Sequence, residues 1–378
     1  MSEDEPNQDE PTKEQVDFLH LVAKAFPYSE TTVNALERAA RWADALHDLD
    51  RGFAIRKDLV MAATYLGMEE RALVAFAWCI AQSDRDPARF PQDTLLPMYK
   101  WIAATLPDFP TVSLAKIQAM EDDYEARLKQ AGHGLRSLYK LRMKNANWTG
   151  FLRRGSEYER MWRSARKDDL SDCVACEFDS EVSALNRAGR YREALQKARS
   201  LLSQGLQCET VPARTYREII DAGLSLGELE TAAEAFEVGY PLVKGKEEFL
   251  FTIGWHLVYL ARVVDARRGL DLIETHLPLA IQADPVERML FLAQTAVFLE
   301  RLAATTPRPR KIRIPETLPF HNADNRYAPA DLAALFHGEA RQLASRFDDR
   351  NGNTYISWHL ADTRALAFGA ERPQYHEP

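Results

Sequence analysis

The sequence predicts an all-α fold of stacked helical hairpins. Apolar residues recur at spacings of three and four along most of the chain, whereas few stretches show the apolar–polar alternation of strands. In 184–202, for example, apolar residues mark one side of a helix–turn–helix. Gly67, Gly189 and Gly227 interrupt the pattern where helices should end, because glycine adopts the left-handed cap conformation at little cost.

Length and charge limit the number of domains and the kind of partner. The chain has 378 residues, against roughly 100–200 for an average domain, so we expect one elongated domain or two to three compact ones. Acidic residues outnumber basic ones by 56 to 48, which gives a net charge of −8. A nucleic-acid partner needs a basic surface that neutralises phosphates, so this balance argues against one.

Breaks in the helical pattern divide the chain into five parts. The first residues are too acidic and too poor in apolar side chains to pack. Three prolines between 306 and 315 exclude a helix there, and a final helical pair should cap the end of the array. The parts are a disordered acidic tail (1–12), a helical-repeat solenoid (13–303), a Pro-rich connector (304–328), a C-terminal helical pair (329–368) and a loose tail (369–378).

The turn inside the final pair has a short polar sequence. Residues 348–353 resemble a calcium-binding loop only superficially, because the glycine stands at the wrong offset and no acidic residue closes the loop. We predict a turn in which Asn351 and Gly352 take positive φ and Asn353 caps the next helix. The two helices would then span about 329–347 and 354–368.

The helix breaks recur at an almost constant interval. Four successive break positions stand 39, 38 and 37 residues apart, and a small residue follows each of them five residues later. A small residue early in the second helix of a hairpin lets its backbone approach the first helix. The pairs are Gly150 with Gly155, Gly189 with Ala194, Gly227 with Ala232 and Val264 with Gly269, and Gly67 with Ala72 forms another pair earlier in the chain.

These pairs carry a resemblance to a known family. Residues 67–72, 189–194 and 227–232 resemble the turn and second-helix start of a tetratricopeptide repeat. The resemblance covers about five hairpins, with a spacing longer than the family's period of about 34 residues and without the usual Leu-Gly pair. The chain is therefore similar to divergent bacterial tetratricopeptide-like proteins, and the resemblance implies a right-handed α-solenoid but no particular activity.

Stacked hairpins present an extended surface that suits a peptide or a helix better than bond chemistry. The family mostly scaffolds complexes or senses peptides, so the resemblance implies a scaffold or adaptor that binds a protein or peptide. A second hypothesis is a ligand- or peptide-responsive regulatory sensor in which binding changes the curvature of the array. We expect partner-facing side chains on the first helices of the central hairpins, namely Tyr139, Arg142, Tyr216, Arg217 and Trp255.

Three of the four cysteines are placed where a helical hairpin would bring them together. Cys173 and Cys176 begin a predicted first helix, and Cys208 follows the second helix of that hairpin. A structural zinc site would need a fourth ligand, for which His256 and His276 are candidates. A redox thiol pair and a zinc- or thiol-dependent enzyme are further alternatives. Because a second C-x-x-C motif is missing, we favour small buried hydrophobic thiols and no cofactor.

A locally basic stretch, 136–167, stands out against the acidic total. It contains ten Lys and Arg residues interleaved with four Tyr and Trp side chains, and residues 308–313 form a second basic cluster. These residues could form a solvated helix face with i,i+4 ion pairs, bind an acidic protein partner, or bind nucleic acid. We favour the solvated face.

Motifs for metal hydrolysis, for nucleotide binding and for secretion are missing. The sequence has no H-E-x-x-H pair, no G-x-G-x-x-G loop and no P-loop, so we expect a protein that is not an enzyme. The apolar stretch 249–264 is shorter than the about 20 residues of a membrane-spanning helix, and the start lacks a basic and then apolar signal. Four cysteines are too few for a disulfide framework, so we expect a cytoplasmic protein with reduced thiols.

Overall fold

A computed structural model describes residues 11–26 and 28–378 of the chain, and helices account for 73% of the residues. The predicted all-α class is confirmed. The predicted tail 1–12 lies outside the described residues except for Pro11 and Thr12, and the Thr12 side chain caps the first helix. Within the connector 304–328, two strands, β1 (Arg310–Lys311) and β2 (Arg326–Tyr327), pair antiparallel.

Seventeen α-helices occur in the described residues, in addition to three short 3₁₀ turns. They are α1 (Lys13–Ala25), α2 (Glu30–Ala45), α3 (Leu49–Tyr65), α4 (Glu69–Arg85), α5 (Leu96–Thr105), α6 (Leu114–Gln130), α7 (Arg136–Trp148), α8 (Leu152–Ser164), α9 (Val174–Arg187), α10 (Tyr191–Ser203), α11 (Ala213–Leu226), α12 (Leu229–Val243), α13 (Leu250–Val263), α14 (Ala266–Gln282), α15 (Pro285–Thr305), α16 (Pro329–Asn351) and α17 (Tyr355–Phe368).

The helices group into two compact units. Among the described residues, the first unit comprises 11–26, 28–106, 115–144 and 158–170. In it, α1 packs on α2, α2 on α3 and α3 on α4, while α5 contacts both α3 and α4. Tyr99 and Tyr124 stack at the centre of its apolar core, with ring centroids 5.2 Å apart.

The second unit comprises residues 107–114, 145–157 and 171–378, and it contains the regular hairpins α9–α10, α11–α12 and α13–α14. The first helices of successive hairpins pack side by side in the order α9, α11, α13 and then α15. The second helix of each hairpin packs against the first helix of the same hairpin and against the first helix that follows it in the chain. Consecutive hairpins in this unit therefore follow a helical-repeat arrangement.

The C-terminal pair does more than cap the end of this row. Helix α16 packs along α15, as a cap would, but α17 also contacts α11 and α13. Buried side chains lie all around α17 rather than along one stripe, for example Ile356, Asp362 and Leu366. A helix of this kind needs cover from several neighbours, which explains why α17 folds back onto the first helices.

The predicted helix breaks are confirmed at the backbone. Gly67, Gly189 and Gly227 have φ values of 68°, 70° and 74°. Val264 occupies the next slot and also takes the left-handed conformation, with φ of 55°. The left-handed conformation destabilises a β-branched residue by roughly 1–2 kcal/mol, so the break at Val264 is less favourable than the breaks at glycine.

The small residues that follow these breaks pack as predicted. Ala72, Ala194 and Ala232 are fully buried. At Gly269, an added Cβ would overlap the ring of Phe298, a buried residue of α15. These positions therefore set how closely the second helix of a hairpin approaches its neighbours.

The predicted turn within the C-terminal pair is wrong in detail. Helix α16 continues through Asn351, and only Gly352 takes positive φ, at 66°. The prediction for Asn353 is confirmed, because its side-chain oxygen accepts a hydrogen bond from the Tyr355 N–H at the start of α17 at 3.0 Å. The carboxylate of Asp348 adds a second cap and accepts hydrogen bonds from the backbone N–H groups of Ile356 and Ser357 at 2.9 and 3.1 Å. The Asp348 cap comes from the preceding helix, whereas the sequence rule for N-caps considers only residues two or three positions before the capped N–H group.

The apolar stretch 249–264 forms α13, a helix buried on most sides. Across residues 11–26 and 28–378, no helix is both long enough and apolar enough to span a membrane.

Candidate functional site

The chain's own C-terminal segment, residues 369–378, packs in the second unit against α17 and reaches the start of α10 and the end of α11. The guanidinium of Arg372 donates to the carboxylate of Asp362 on α17 at 2.7 Å, and also to the hydroxyls of Tyr191 on α10 and Ser225 on α11. The predicted loose tail is therefore wrong, because a five-donor guanidinium finds three acceptors on three helices.

A second anchor lies three residues further along this segment. The ring of Tyr375 packs against Tyr355 and Trp358 of α17, with centroid distances of 5.1 and 5.4 Å. Its hydroxyl donates to the carbonyl of Gly150 at 3.0 Å, and the Trp358 indole N–H donates to the carbonyl of Pro373 at 3.0 Å. Aromatic packing and main-chain hydrogen bonds thus hold a segment without regular secondary structure.

The surroundings of Arg372 are buried and charged. Burial opposes the charge, but the hydrogen bonds to Asp362 and the attraction of Asp221 outweigh it and raise the pKa of Arg372. Burial also raises the pKa of Asp221 and lowers the pKa of His359 to about 4. The site therefore stabilises a cation next to acidic and neutral groups.

Sequence reasoning missed this site. Arg372, Asp362 and Tyr375 were not among the candidate residues, since single charged and aromatic residues beyond the last helix show no periodicity. The one available signal was the Arg-Pro-Gln-Tyr sequence at 372–375, which follows a helix that ends at Gly369 with positive φ.

Ser225 also lies within a sequence pattern that is typical of catalytic serines. Residues 223–227 read Gly-Leu-Ser-Leu-Gly, which matches the G-x-S-x-G pattern of a nucleophile elbow. The structure places them at the C-terminal end of α11 rather than at a strand-to-helix turn. The Ser225 hydroxyl bonds to Asp221 and Arg372 and not to a histidine, so the geometry of an activated serine is not present there.

The predicted partner-facing residues on α11 and α13 face inward. Trp255 is 4% exposed and belongs to the apolar core of the second unit. Arg217 lies over the ring of Phe251 at 4.6 Å, and burial lowers its pKa to about 10. Tyr216 is half-buried, packed where α12 approaches at Gly239. These side chains contribute to packing rather than to an open surface.

The two predicted residues on α7 lie in the first unit. Tyr139 is half-buried, and Arg142 is buried. The Arg142 guanidinium donates to Glu125 at 2.7 Å and to Asp122 at 2.6 Å, both on α6. Arg142 therefore joins two helices and is not available to a partner in this structure.

The basic stretch is only partly solvated. Arg136, Lys140 and Arg142 are buried, whereas the other seven basic residues of 136–167 are exposed. Arg136 donates to the backbone carbonyls of Trp162 and Ala165 at 2.6 Å each. The interpretation as a solvated face is wrong for the three buried residues, since Arg136 and Arg142 bond to neighbouring groups and Lys140 lies over the ring of Trp162 at 5.4 Å.

The three cysteines come together as the hairpin geometry predicts. Cys173 is the N-cap of α9, Cys176 lies in its first turn and Cys208 follows α10. Their sulfur atoms all lie within 4.8 Å of one another, and the Cys176 and Cys208 sulfurs are 3.2 Å apart. Cys173 is exposed and the other two are half-buried, so the interpretation as buried hydrophobes is wrong for Cys173.

The pKa values of the two half-buried thiols are shifted in opposite directions. The pKa of Cys176 is raised by burial and by the hydrogen bonds of its thiol with Cys208 and Cys173. Burial works against ionisation of Cys208 as well, but hydrogen bonds from Cys176 and from the backbone of Thr210 and Val211 outweigh it and lower its pKa. Of these two thiols, Cys208 is therefore the one that ionises more readily.

Neither candidate histidine joins the cysteines. His276 accepts a hydrogen bond from the Gly245 N–H at 2.9 Å through Nε2 and donates to the Leu272 carbonyl at 2.8 Å through Nδ1. His256 is buried between the rings of Phe236 and Tyr240 at 5.6 and 5.7 Å. Among the residues that the structure describes, the candidate metal group consists of the three thiols alone.

His256 should make the protein sensitive to acid. Burial and the nearby His276 lower its pKa to about 3, whereas an unfolded chain titrates near 6.5. Below about pH 6.5 the unfolded state binds a proton that the folded state excludes, so this contribution to stability is lost as the pH falls. At pH 5 the loss amounts to about 2 kcal/mol.

Urea unfolding at pH 7 and pH 5 measures this effect. We expect His256→Gln, which does not titrate, to reduce the difference in unfolding free energy between the two pH values by about 2 kcal/mol. The unfolding free energy of His256→Gln at pH 7 serves as the reference for the value of the same variant at pH 5. An equal acid-induced loss in the variant and the wild type would contradict the assignment to His256.

Comparison with known proteins does not assign a family to the chain. No protein-family model matches it, and no curated protein sequence matches it either.

Proposed function

We propose that the chain is a peptide- or protein-binding scaffold, a right-handed solenoid of tetratricopeptide-like hairpins whose first-helix face binds an extended segment of a partner. One observation carries the proposal. The C-terminal end of the first helix α11, together with α17 and the start of α10, already holds an extended segment, residues 369–378, through side-chain hydrogen bonds and ring packing. A segment of the same chemistry in another protein would meet the same groups.

The repeat geometry supports the tetratricopeptide-like part of the proposal. Gly189 and Gly227 end the first helices of two consecutive hairpins with positive φ, and Ala194 and Ala232 are fully buried early in the second helices. These are the positions at which the sequence resembles the family.

The contacts also define the chemistry of the segment that would bind. Asp362 and Asp221 favour a cation, and the rings of Tyr355 and Trp358 favour an aromatic residue three positions later. We therefore expect a basic and aromatic segment of the form Arg-x-x-Tyr rather than an acidic partner, which was one alternative interpretation of the basic stretch. The buried members of that stretch are already engaged within the first unit.

A peptide-binding measurement tests the proposal on the full-length protein. The double variant Arg372→Ala, Tyr375→Ala releases the segment from both anchors, and a fluorescent peptide with the sequence of residues 369–378 is then added. We expect saturable binding by fluorescence anisotropy to the variant and much weaker binding to the wild type, whose own segment occupies the face. A peptide with alanine in place of its arginine and tyrosine is the matched control.

Two results would contradict this function. One is a folded variant, judged by circular dichroism, that does not bind the peptide. The other is equal binding of the control peptide, which would mean that the two anchors confer no recognition. If the peptide binds, affinity capture with the variant from native lysate at low and high salt should enrich a protein that carries an Arg-x-x-Tyr segment.

A further inference from the structure

We propose that Cys173, Cys176 and Cys208 bind one zinc ion through three thiolates, with a water molecule in the fourth position. This site is separate from the first-helix face and does not depend on the proposed peptide binding. It lies where the start of α9 meets the loop after α10, so the ion would join the open ends of one hairpin.

The sulfur positions suit a zinc ion. Zinc lies about 2.3 Å from each thiolate sulfur, and tetrahedral geometry then separates two sulfurs by about 3.8 Å. The three sulfurs lie within 4.8 Å of one another, and those of Cys176 and Cys208 are 3.2 Å apart. Small side-chain rotations therefore bring all three to bonding distance without movement of the helices.

The backbone provides the environment that thiolate ligands need. The N–H of Cys176 points to the Cys173 sulfur at 3.4 Å, at the N-terminus of α9, where the helix dipole favours negative charge. The N–H groups of Thr210 and Val211 donate to the Cys208 sulfur. Such outer contacts orient metal ligands and stabilise their charged form.

The third cysteine distinguishes a metal site from a disulfide. A disulfide between Cys176 and Cys208 would need only those two sulfurs and would not involve the Cys173 sulfur. Cys173 nevertheless lies in the same compact group, held as the N-cap of α9. Three thiol donors, with no fourth donor among the described residues, correspond to the open zinc sites in which water or a substrate completes the coordination.

Cobalt and zinc titrations of the reduced, full-length protein test the site. Co²⁺ bound to thiolates absorbs strongly by charge transfer, and the absorption disappears when zinc displaces it. We expect the wild type to bind one equivalent of metal. Cys173→Ser, Cys176→Ser and Cys208→Ser should each weaken zinc binding by at least about tenfold, since loss of even an outer-shell partner costs about 10–100-fold.

The fourth cysteine provides the matched control. Cys79 is buried in α4 of the first unit, so Cys79→Ala should bind zinc as the wild type does. Zinc should also raise the melting temperature of the wild type and of Cys79→Ala progressively as its concentration increases, and not that of the three serine variants. This second measurement separates a lost ligand from a misfolded variant, because circular dichroism reports the fold of each.

Three outcomes would overturn the site. The first is a reduced wild-type protein that binds no zinc. The second is a Cys173→Ser variant that binds zinc as tightly as the wild type, since the third thiolate would then be dispensable. The third is an isolated protein that contains a Cys176–Cys208 disulfide and, after reduction, does not bind zinc.

Discussion

Replacement of Arg372 with alanine is expected to lower the free energy of unfolding by about 3 kcal/mol. The variant leaves the carboxylate of Asp362, whose side chain is 7% exposed, without its cationic partner. The hydroxyls of Tyr191 and Ser225 lose a donor as well. A buried charge left alone costs far more than an exposed ion pair contributes, and urea unfolding at neutral pH measures the difference.

The ion pair of Arg364 with Glu300 is the matched control for this prediction. The guanidinium of Arg364 contacts the carboxylate of Glu300, and these two side chains are 47% and 33% exposed. Arg364→Ala should therefore cost less than about 1 kcal/mol. Adding Asp362→Ala to Arg372→Ala should recover part of the loss, and a cost for Arg372→Ala no larger than that for Arg364→Ala would show that the segment is not anchored by this residue.

Replacement of Trp255 with alanine is expected to cost about 3–5 kcal/mol. The indole lies in the core of the second unit with Leu257 and Tyr259 of the same helix, and a cavity would replace most of its volume. Urea unfolding followed by circular dichroism measures the loss. This result would place Trp255 among the residues that build the array, in contrast to the expectation that it faces a partner.

The conservative variant Trp255→Phe separates packing from hydrogen bonding. The indole N–H of Trp255 has no hydrogen-bond partner among residues 11–26 and 28–378, so phenylalanine loses no such bond. We expect Trp255→Phe to cost less than about 1.5 kcal/mol. If Trp255→Ala unfolded at the same urea concentration as the wild type, the ring could not be a core residue.

The features that the sequence predicted well are those that depend on neighbouring residues in the chain. Left-handed breaks at Gly67, Gly189 and Gly227 follow from the conformational freedom of glycine, and even Val264 was located because the interval between breaks is regular. The three cysteines were brought together correctly because a hairpin returns the chain to its starting end.

The features that it did not predict depend on contacts between distant residues. The Asp348 cap of α17 belongs to the preceding helix, and Arg372 contacts Tyr191 across 181 residues of sequence. Periodicity identifies which side of a helix is apolar but not which element will cover it. For that reason the sequence predicts an open face for Arg217 and Trp255, whereas both side chains are largely buried.

The short connection between α17 and Arg372 affects how any competing segment would act. Only Gly369, Ala370 and Glu371 separate the helix from the arginine. A tether of this length keeps the segment at an effective concentration on the order of millimolar beside its own site. A partner that makes identical contacts must overcome that local concentration, so single weak segments are rejected while a tightly binding or multivalent partner can displace the tether.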